Sequence, residues 1–147
     1  VLHTEIVFIC VPTPMGDDNR CDTSIVESVI VDLIEKEFMG IIAIRSTVTP
    51  GFTCKMQIKY QNPKICFCPE FLRERCATED FIDNHELLAI GTTHDDAIKI
   101  IKETHGNLPK NIVTLNPTEA EILKYYNNIF AALRIGFANL FYDLCIK

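Results

Sequence analysis

Polar side chains that could take part in catalysis follow three apolar runs of the sequence. Thr13 comes shortly after the run EIVFICV, Ser46 and Thr47 follow GIIAIR, and Glu70 follows KICFC. Hydroxyl groups can bind the polar atoms of a ligand, and a carboxylate can accept a proton or orient a water molecule. If the three runs are neighbouring strands, these side chains form a polar pocket at one edge of a sheet. Taken singly, each is also an ordinary strand exit, since Pro, Ser and Thr are common in turns.

A second polar pair lies near the C-terminal end of the chain. Lys124 and Asn128 are four residues apart in a helical pattern that starts near Pro117, so they lie on one face of that helix. Small and apolar residues flank them, whereas a solvated face would carry more charge. This setting favours a role in a site, and the alternative is a solvated lysine beside a helix asparagine.

The elements that position these residues alternate between strands and helices. Near-continuous apolar runs of this kind are typical of strands that are covered on both faces. The sequence predicts strands at 5–11, 40–45, 64–68, 87–91 and 111–115, and helices at 23–38, 51–60, 94–105 and from about 117 to the end. This order predicts an α/β fold with a mostly parallel sheet and helices on both faces. In such sheets, ligands bind beyond the carboxyl ends of the strands.

The last helix is too long and too apolar to belong to this sheet alone. Thirty helical residues span about 45 Å, whereas a domain of this size has a radius of gyration of about 15 Å. An apolar stripe runs along one face, and the opposite face is not fully polar: the stripe comprises Ile122, Tyr126, Ile129, Leu133, Phe137, Leu140 and Leu144. A helix that is apolar on two sides is expected to be covered by a second domain or a second subunit.

The composition excludes several classes of function. The chain has 14 Lys and Arg against 20 Asp and Glu, a net charge of −6, which argues against nucleic-acid and anionic-membrane partners. No signal peptide or apolar run near 18 residues is present, so we expect a cytoplasmic protein. The seven cysteines have no regular spacing and several lie in apolar runs, which favours buried free thiols. No Cys-x-x-Cys or spaced histidine pair predicts a metal site.

Four motifs in this order resemble the UDP-glucose/GDP-mannose dehydrogenase family, most closely its UDP-glucose 6-dehydrogenase members. They cover nearly the whole chain, and together they are far more specific than any one of them. The motifs are VFICVPTP with DTSIV at 7–14 and 22–26, RSTVTPGF at 45–52, PEFLRE at 69–74, and EAEILK at 119–124 with Asn128 and the residues ALR and FAN after it.

The resemblance implies an NAD-dependent enzyme that oxidises the C6 alcohol of a UDP-sugar to a carboxylate in two steps, through a thiohemiacetal on a cysteine. Thr13, Thr47 and Glu70 are then expected to contact NAD, and Glu70 to handle the catalytic water. Lys124 would stabilise the oxyanion, with Asn128 as a donor beside it and Thr47 nearby. The substrate-binding residues implied are Phe71, Leu72 and Arg73, together with Lys124 and Asn128. The long helix would join domains and build a homodimer.

The chain also departs from the family pattern. Residues 1–116 resemble an incomplete Rossmann-like NAD-binding domain whose first β-α-β unit would precede Val1, and residues 117–147 resemble the central dimerisation helix. The six glycines are isolated, so no Gly-x-Gly-x-x-Gly loop is present, and Cys145 lacks the glycine-rich context of the family's nucleophile. We therefore expect no turnover by this chain alone. The alternatives are a non-catalytic module that binds a nucleotide sugar or nucleotide, and an oligomerisation module.

Overall fold

The computed structural model describes residues 3–146, apart from the side chain of Glu74, so the outermost ends of the predicted ranges 1–116 and 117–147 lie outside the described residues. All five predicted strands form, most of them shorter than predicted. The elements in chain order are β1 (Ile6–Ile9), α1 (Ser24–Glu35), β2 (Ile41–Ile44), α2 (Phe52–Tyr60), β3 (Ile65–Phe67), a 3-10 turn (Glu74–Cys76), α3 (Ala77–Ile82), β4 (Leu87–Gly91), α4 (Asp95–His105), β5 (Asn111–Leu115) and α5 (Pro117–Cys145).

The five strands form one sheet in the order β1-β2-β3-β4-β5. Strands β1, β2 and β3 are parallel, β4 is antiparallel to β3 through the pair Phe67 and Gly91, and β5 is parallel to β4. The predicted mostly parallel α/β sheet is therefore confirmed, with one reversal of direction. Because the chain stays at the carboxyl end of β3 through α3, β4 starts at the same edge of the sheet at which β1, β2 and β3 end.

Helices cover both faces of the sheet, as the apolar runs predict. On one face, α1, α2 and the first turns of α5 pack on a core that includes Val26, Ile30, Ile42, Ile44, Phe52, Met56, Ile65, Phe67 and Ala120. On the other face, α4 packs through Ala97 and Ile101 on a second core with Ala43, Cys66, Leu88 and Ile90. The strands of the sheet centre point apolar side chains to both layers.

Helix α5 starts on the sheet and then leaves it. Asn116 and Glu119 form a capping box, in which each side chain accepts a hydrogen bond from the other residue's backbone N–H, and Pro117 occupies the first turn. Ala120 and Glu121 are fully buried, but every residue from Tyr126 to Ile146 is exposed. The expected two-sided apolar surface is therefore uncovered in this chain. None of the helices in the described part of the chain is long and apolar enough to cross a membrane.

The cysteines are free thiols in the part of the chain that the structure describes, but only two of the seven are buried. Cys66 and Cys68 lie in the sheet, where burial raises the pKa of Cys68 to about 11. The expectation of burial is wrong for Cys10. It follows the last residue of β1 and is exposed at the edge of the sheet, because the strand ends one residue before it.

Candidate functional site

The carboxyl ends of β1, β2 and β3 meet at one cleft of about 240 Å³. The cleft brings together four residues singled out in the sequence, Thr13, Thr47, Glu70 and Lys124. Its lining consists of Cys10, Val11, Pro12, Thr13, Arg45, Ser46, Thr47, Glu70 and Lys124. The parallel strands deliver the first three groups to one edge, and the docked start of α5 brings the lysine to them.

Ser46 stabilises the backbone at the edge of this cleft. Its side-chain hydroxyl lies 2.7 Å from the carbonyl oxygen of Val11 and 3.3 Å from that of Ile9, and the residue is only 8% exposed. The hydroxyl proton is therefore engaged by the backbone after β1. On the neighbouring loop, the thiol of Cys21 donates to the carbonyl oxygen of Thr47 over 3.5 Å. Of the predicted hydroxyls, Ser46 thus supports the structure, while Thr13 and Thr47 are half-buried in the cleft lining.

Glu70 lies between two cations. The ammonium of Lys124 donates a hydrogen bond of 2.5 Å to the backbone carbonyl oxygen of Glu70, and it lies 5.7 Å from the centre of the Phe71 ring. The guanidinium of Arg45 lies 3.7 Å from the carboxylate oxygen Oε2 of Glu70. Burial lowers the pKa of Lys124, Arg45 lowers it further, and the negative charge of Glu70 raises it. Lys124 is thus a half-buried cation held at the edge of the cleft.

A second cleft of about 520 Å³ adjoins the first. It is lined by the predicted loop residues Phe71, Leu72 and Arg73, and it shares Arg45 and Glu70 with the first cleft. The remaining lining residues are Asp80, Asn84, His85, Glu86, Leu87, Leu123, Tyr126 and Asn127. Glu86 pairs with Lys110 at 2.5 Å. An ion pair of the protein itself therefore lies at the border of this cleft.

Arg73 forms an ion pair with Asp80, a carboxylate of the protein itself. Its guanidinium donates to Asp80 from Nε at 3.0 Å and from Nη2 at 2.6 Å, and its backbone N–H donates to the same carboxylate at 2.9 Å. This hydrogen bonding holds the pKa of Asp80 well below its usual range. The pair fastens the loop after β3 to α3. A ligand in the second cleft would therefore contact a guanidinium whose charge is already paired with Asp80.

Asn128 is not brought to the other predicted site residues. It lies one turn beyond Lys124, where α5 has left the sheet, and it is exposed and outside the linings of both clefts. Asn127 lines the second cleft in its place. The helical spacing places residues 124 and 128 on one face of α5, but it does not predict at which residue the helix leaves the sheet and its face becomes exposed.

Two residues with structural importance for the site received no role from the sequence. Arg45 lies where the two clefts meet. Its position directly after the apolar run of β2 is the feature of the sequence that could have indicated a role for this charge. Glu121 is fully buried and accepts hydrogen bonds from the backbone N–H groups of Gly51 at 2.5 Å and Thr53 at 2.8 Å. It thereby caps α2 and fastens the start of α5, which carries Lys124, to α2.

Comparison with known proteins identifies the family. Residues 1–108 match the model of the NAD binding domain of the UDP-glucose/GDP-mannose dehydrogenase family. UDP-glucose 6-dehydrogenase of Rickettsia bellii is 34% identical over 99% of this chain and 35% of its own length. UDP-glucose 6-dehydrogenase AglM of Haloferax volcanii is 30% identical over 99% of this chain and 38% of its own length.

Solved structures agree with this result. A UDP-glucose dehydrogenase from Pyrobaculum islandicum superposes with a TM-score of 0.81 at 30% identity, over 94% of this chain and 34% of the other. A GDP-mannose dehydrogenase from Pseudomonas aeruginosa superposes with a TM-score of 0.80 at 27% identity, over 95% and 35%. The chain spans little more than a third of the length of these relatives. It belongs to the UDP-glucose/GDP-mannose dehydrogenase family, within the NAD-binding region of that family.

Proposed function

We propose that this chain forms the edge between cofactor and substrate of a dehydrogenase that oxidises UDP-glucose to UDP-glucuronate in two NAD-dependent steps. The observation that carries the proposal is the meeting of two clefts at Arg45 and Glu70. Hydride transfer requires a cofactor site and a substrate site whose reacting atoms touch, and two adjoining clefts with charged groups at their border provide such a contact.

NAD would bind in the first cleft, where it accepts a hydride when bound. Thr13 and Thr47 offer hydroxyl groups there, and Glu70 offers a carboxylate. The cleft measures about 240 Å³, below the range of about 300–1,000 Å³ of complete small-molecule sites. The residues present therefore fit one end of a dinucleotide, and the remainder of the cofactor would need further contacts.

The second cleft would hold the nucleotide sugar. Phe71 and Leu72 supply apolar walls, and the Arg73–Asp80 pair keeps their loop in place. Lys124 lines the first cleft and contacts Glu70, which borders both clefts. From there it is suited to stabilise negative charge on a sugar oxygen that reaches the border, because a preorganised, half-buried ammonium needs little rearrangement during the reaction. Glu70 would orient or deprotonate the water of the hydrolytic step. Asn128 remains a proposed second hydrogen-bond donor to the substrate. Because it is exposed on α5, this role requires a second domain or subunit to cover that part of the helix.

The proposal predicts binding without turnover for the 147-residue chain. Isothermal titration calorimetry should detect UDP-glucose and, more weakly, NAD, because the chain has no Gly-x-Gly-x-x-Gly loop for the pyrophosphate of the cofactor. NADH absorbance should stay flat, because the chain carries no cysteine in a glycine-rich context. Lys124→Met should weaken UDP-glucose binding about tenfold, the loss of about 1.4 kcal/mol. Lys102→Met, an exposed lysine on α4, is the matched control and should leave binding unchanged.

Heat from neither ligand would contradict the proposed function. UDP-glucose-dependent formation of NADH by the chain alone would contradict the part of the proposal that denies it turnover. An equal loss of affinity in the Lys102→Met control would show that a general change of charge, and not the position of Lys124, is responsible.

A second candidate function is association through α5. The exposed part of this helix carries large apolar side chains that a monomer rarely leaves in one contiguous surface: Tyr126, Ile129, Phe130, Leu133, Ile135, Phe137, Leu140, Phe141, Tyr142, Leu144 and Ile146. A homodimer would cover them and would also cover the environment of Asn128.

Sedimentation equilibrium tests this association. The chain should sediment as a dimer or larger species, and the double variant Leu133→Glu with Phe137→Glu should shift it towards the monomer. Both side chains are more than 60% exposed, so the variant should keep the stability of the folded sheet. A monomer at every concentration that stays in solution would rule the association out.

A further inference from the structure

Arg45 is a cation that the sheet places at the border of both clefts. It follows β2 directly, and its side chain is 12% exposed, against 46% for the side chain of Glu70. Burial of a guanidinium is costly unless acceptors or aromatic faces surround it. The contacts that compensate this burial therefore indicate what the residue does.

Three groups surround the guanidinium. Its central carbon lies 5.6 Å from the centre of the Phe8 ring, within the range of a cation–π contact. One terminal nitrogen, Nη1, lies 3.4 Å from Nε2 of His105, and the other, Nη2, lies 3.7 Å from Oε2 of Glu70. The guanidinium of Arg45 thus contacts the rings of Phe8 on β1 and His105 on α4, and one of its terminal nitrogens faces the carboxylate of Glu70.

His105 is a fixed, neutral acceptor for this arginine. Its Nδ1 lies 2.8 Å from the carbonyl oxygen of Ile101, so Nδ1 carries the proton and Nε2 presents its lone pair to Arg45. Burial lowers the pKa of His105, the hydrogen bond to the carbonyl oxygen of Ile101 raises it, and the nearby Arg45 and His85 lower it. The rings of Phe8, Phe81 and His85 lie 5.7–5.9 Å from its own ring and leave it 4% exposed.

Glu70 is consequently held at both of its ends. Its backbone carbonyl oxygen binds Lys124, and its carboxylate faces Arg45. The distance of 3.7 Å is beyond a direct hydrogen bond, so the ion pair can set the direction of the carboxylate and still leave its oxygens free for water. Lysine could supply the charge at position 45 but not two nitrogens that face two partners at once.

We propose that Arg45, supported by His105, is a positioning residue that holds the Glu70 carboxylate at the border of the two clefts. The significance of that position rests on the proposed function, since Glu70 is there the group that handles water. The charged and titratable groups that face Arg45 are Glu70 after β3, His105 on α4, His85 before β4, Lys124 on α5, and Cys10 and Cys68 at the ends of β1 and β3.

Nuclear magnetic resonance of the full chain tests the proposal without any nucleotide. In Arg45→Gln, the order parameter of the Glu70 side-chain methylene groups should fall towards the values below about 0.6 that mark flexible groups. The midpoint of the Lys124 ε-carbon titration should rise, because a neighbouring positive charge is lost. Arg20→Gln, an exposed arginine in the loop between β1 and α1, is the matched control and should change neither signal.

Three further variants keep the proposal testable if Arg45→Gln fails to fold. Arg45→Lys should leave the Lys124 titration in place but release Glu70, and His105→Phe should release Glu70 while His105→Gln, which retains an acceptor, should largely preserve its order. A Glu70 side chain that stays ordered in folded Arg45→Gln or Arg45→Lys overturns the proposal. Because these measurements need no ligand, they are independent of whether calorimetry supports the proposed function.

Discussion

Replacement of Glu121 by alanine should lower the free energy of unfolding by about 2–4 kcal/mol. Glu121 is fully buried, and its two carboxylate oxygens accept from the backbone N–H groups of Gly51 and Thr53 at the start of α2. Without the carboxylate, the buried N–H of Thr53 and the half-buried N–H of Gly51 would both lose their partner, and the positive end of the α2 dipole would lose its counter-charge. Gly51 has a φ of +91°, so this helix start is a conformation that few other residues could adopt.

Urea unfolding followed by circular dichroism measures this effect. Glu121→Gln retains the shape and one acceptor and should cost about 1.5 kcal/mol. Glu119→Ala is the matched control two residues away on α5: it removes an exposed capping-box carboxylate and should cost about 1 kcal/mol or less. If Glu121→Ala costs no more than this control, the carboxylate does not fasten α5 to α2.

Gly91→Ala should destabilise the fold by about 3 kcal/mol, the upper part of the range for overpacked cores. A β-carbon at position 91 would lie 2.6 Å from the β-carbon of Ala120, 3.0 Å from the carbonyl oxygen of Phe67 and 3.2 Å from Cα of Pro117. Position 91 joins β3 to β4 and also receives the first turn of α5, so none of these neighbours can move freely.

A double-mutant cycle separates this contact from a general effect of alanine. Ala120→Gly alone should cost about 1 kcal/mol through lower helix propensity, yet together with Gly91→Ala it should recover at least about 1 kcal/mol, since it removes the closest contact. Gly136→Ala, in the exposed part of α5 with nothing within 4 Å, should not destabilise the protein. Additive losses in the cycle would contradict the close approach of α5 to β4.

Much of this fold follows from local patterns. The apolar runs at 40–45 and 64–68 form buried strands of a mostly parallel sheet, and their exits bring Thr47 and Glu70 to one edge together with Thr13. The start of α5 at Pro117 follows from the capping box of Asn116 and Glu119. These features depend on side-chain alternation and backbone hydrogen bonding within a few residues, which is information that a sequence contains directly.

The partners of the charged groups depended on packing. Arg45 meets His105 across 60 positions, and Glu121 meets Gly51 across 70, which no spacing rule predicts. The reversal of β4 followed from how α3 keeps the chain at one edge, and the exposure of Asn128 followed from where α5 leaves the sheet.

The sequence by itself determined the elements, the edge where ligands are expected and the resemblance to a family. Only the tertiary structure decided which charges face one another, because those contacts arise when helices dock on a sheet, and docking depends on side chains distant in the chain. Arg73 shows the difference: the resemblance to the family implied a substrate contact for it, and the tertiary structure gives it Asp80 as a partner.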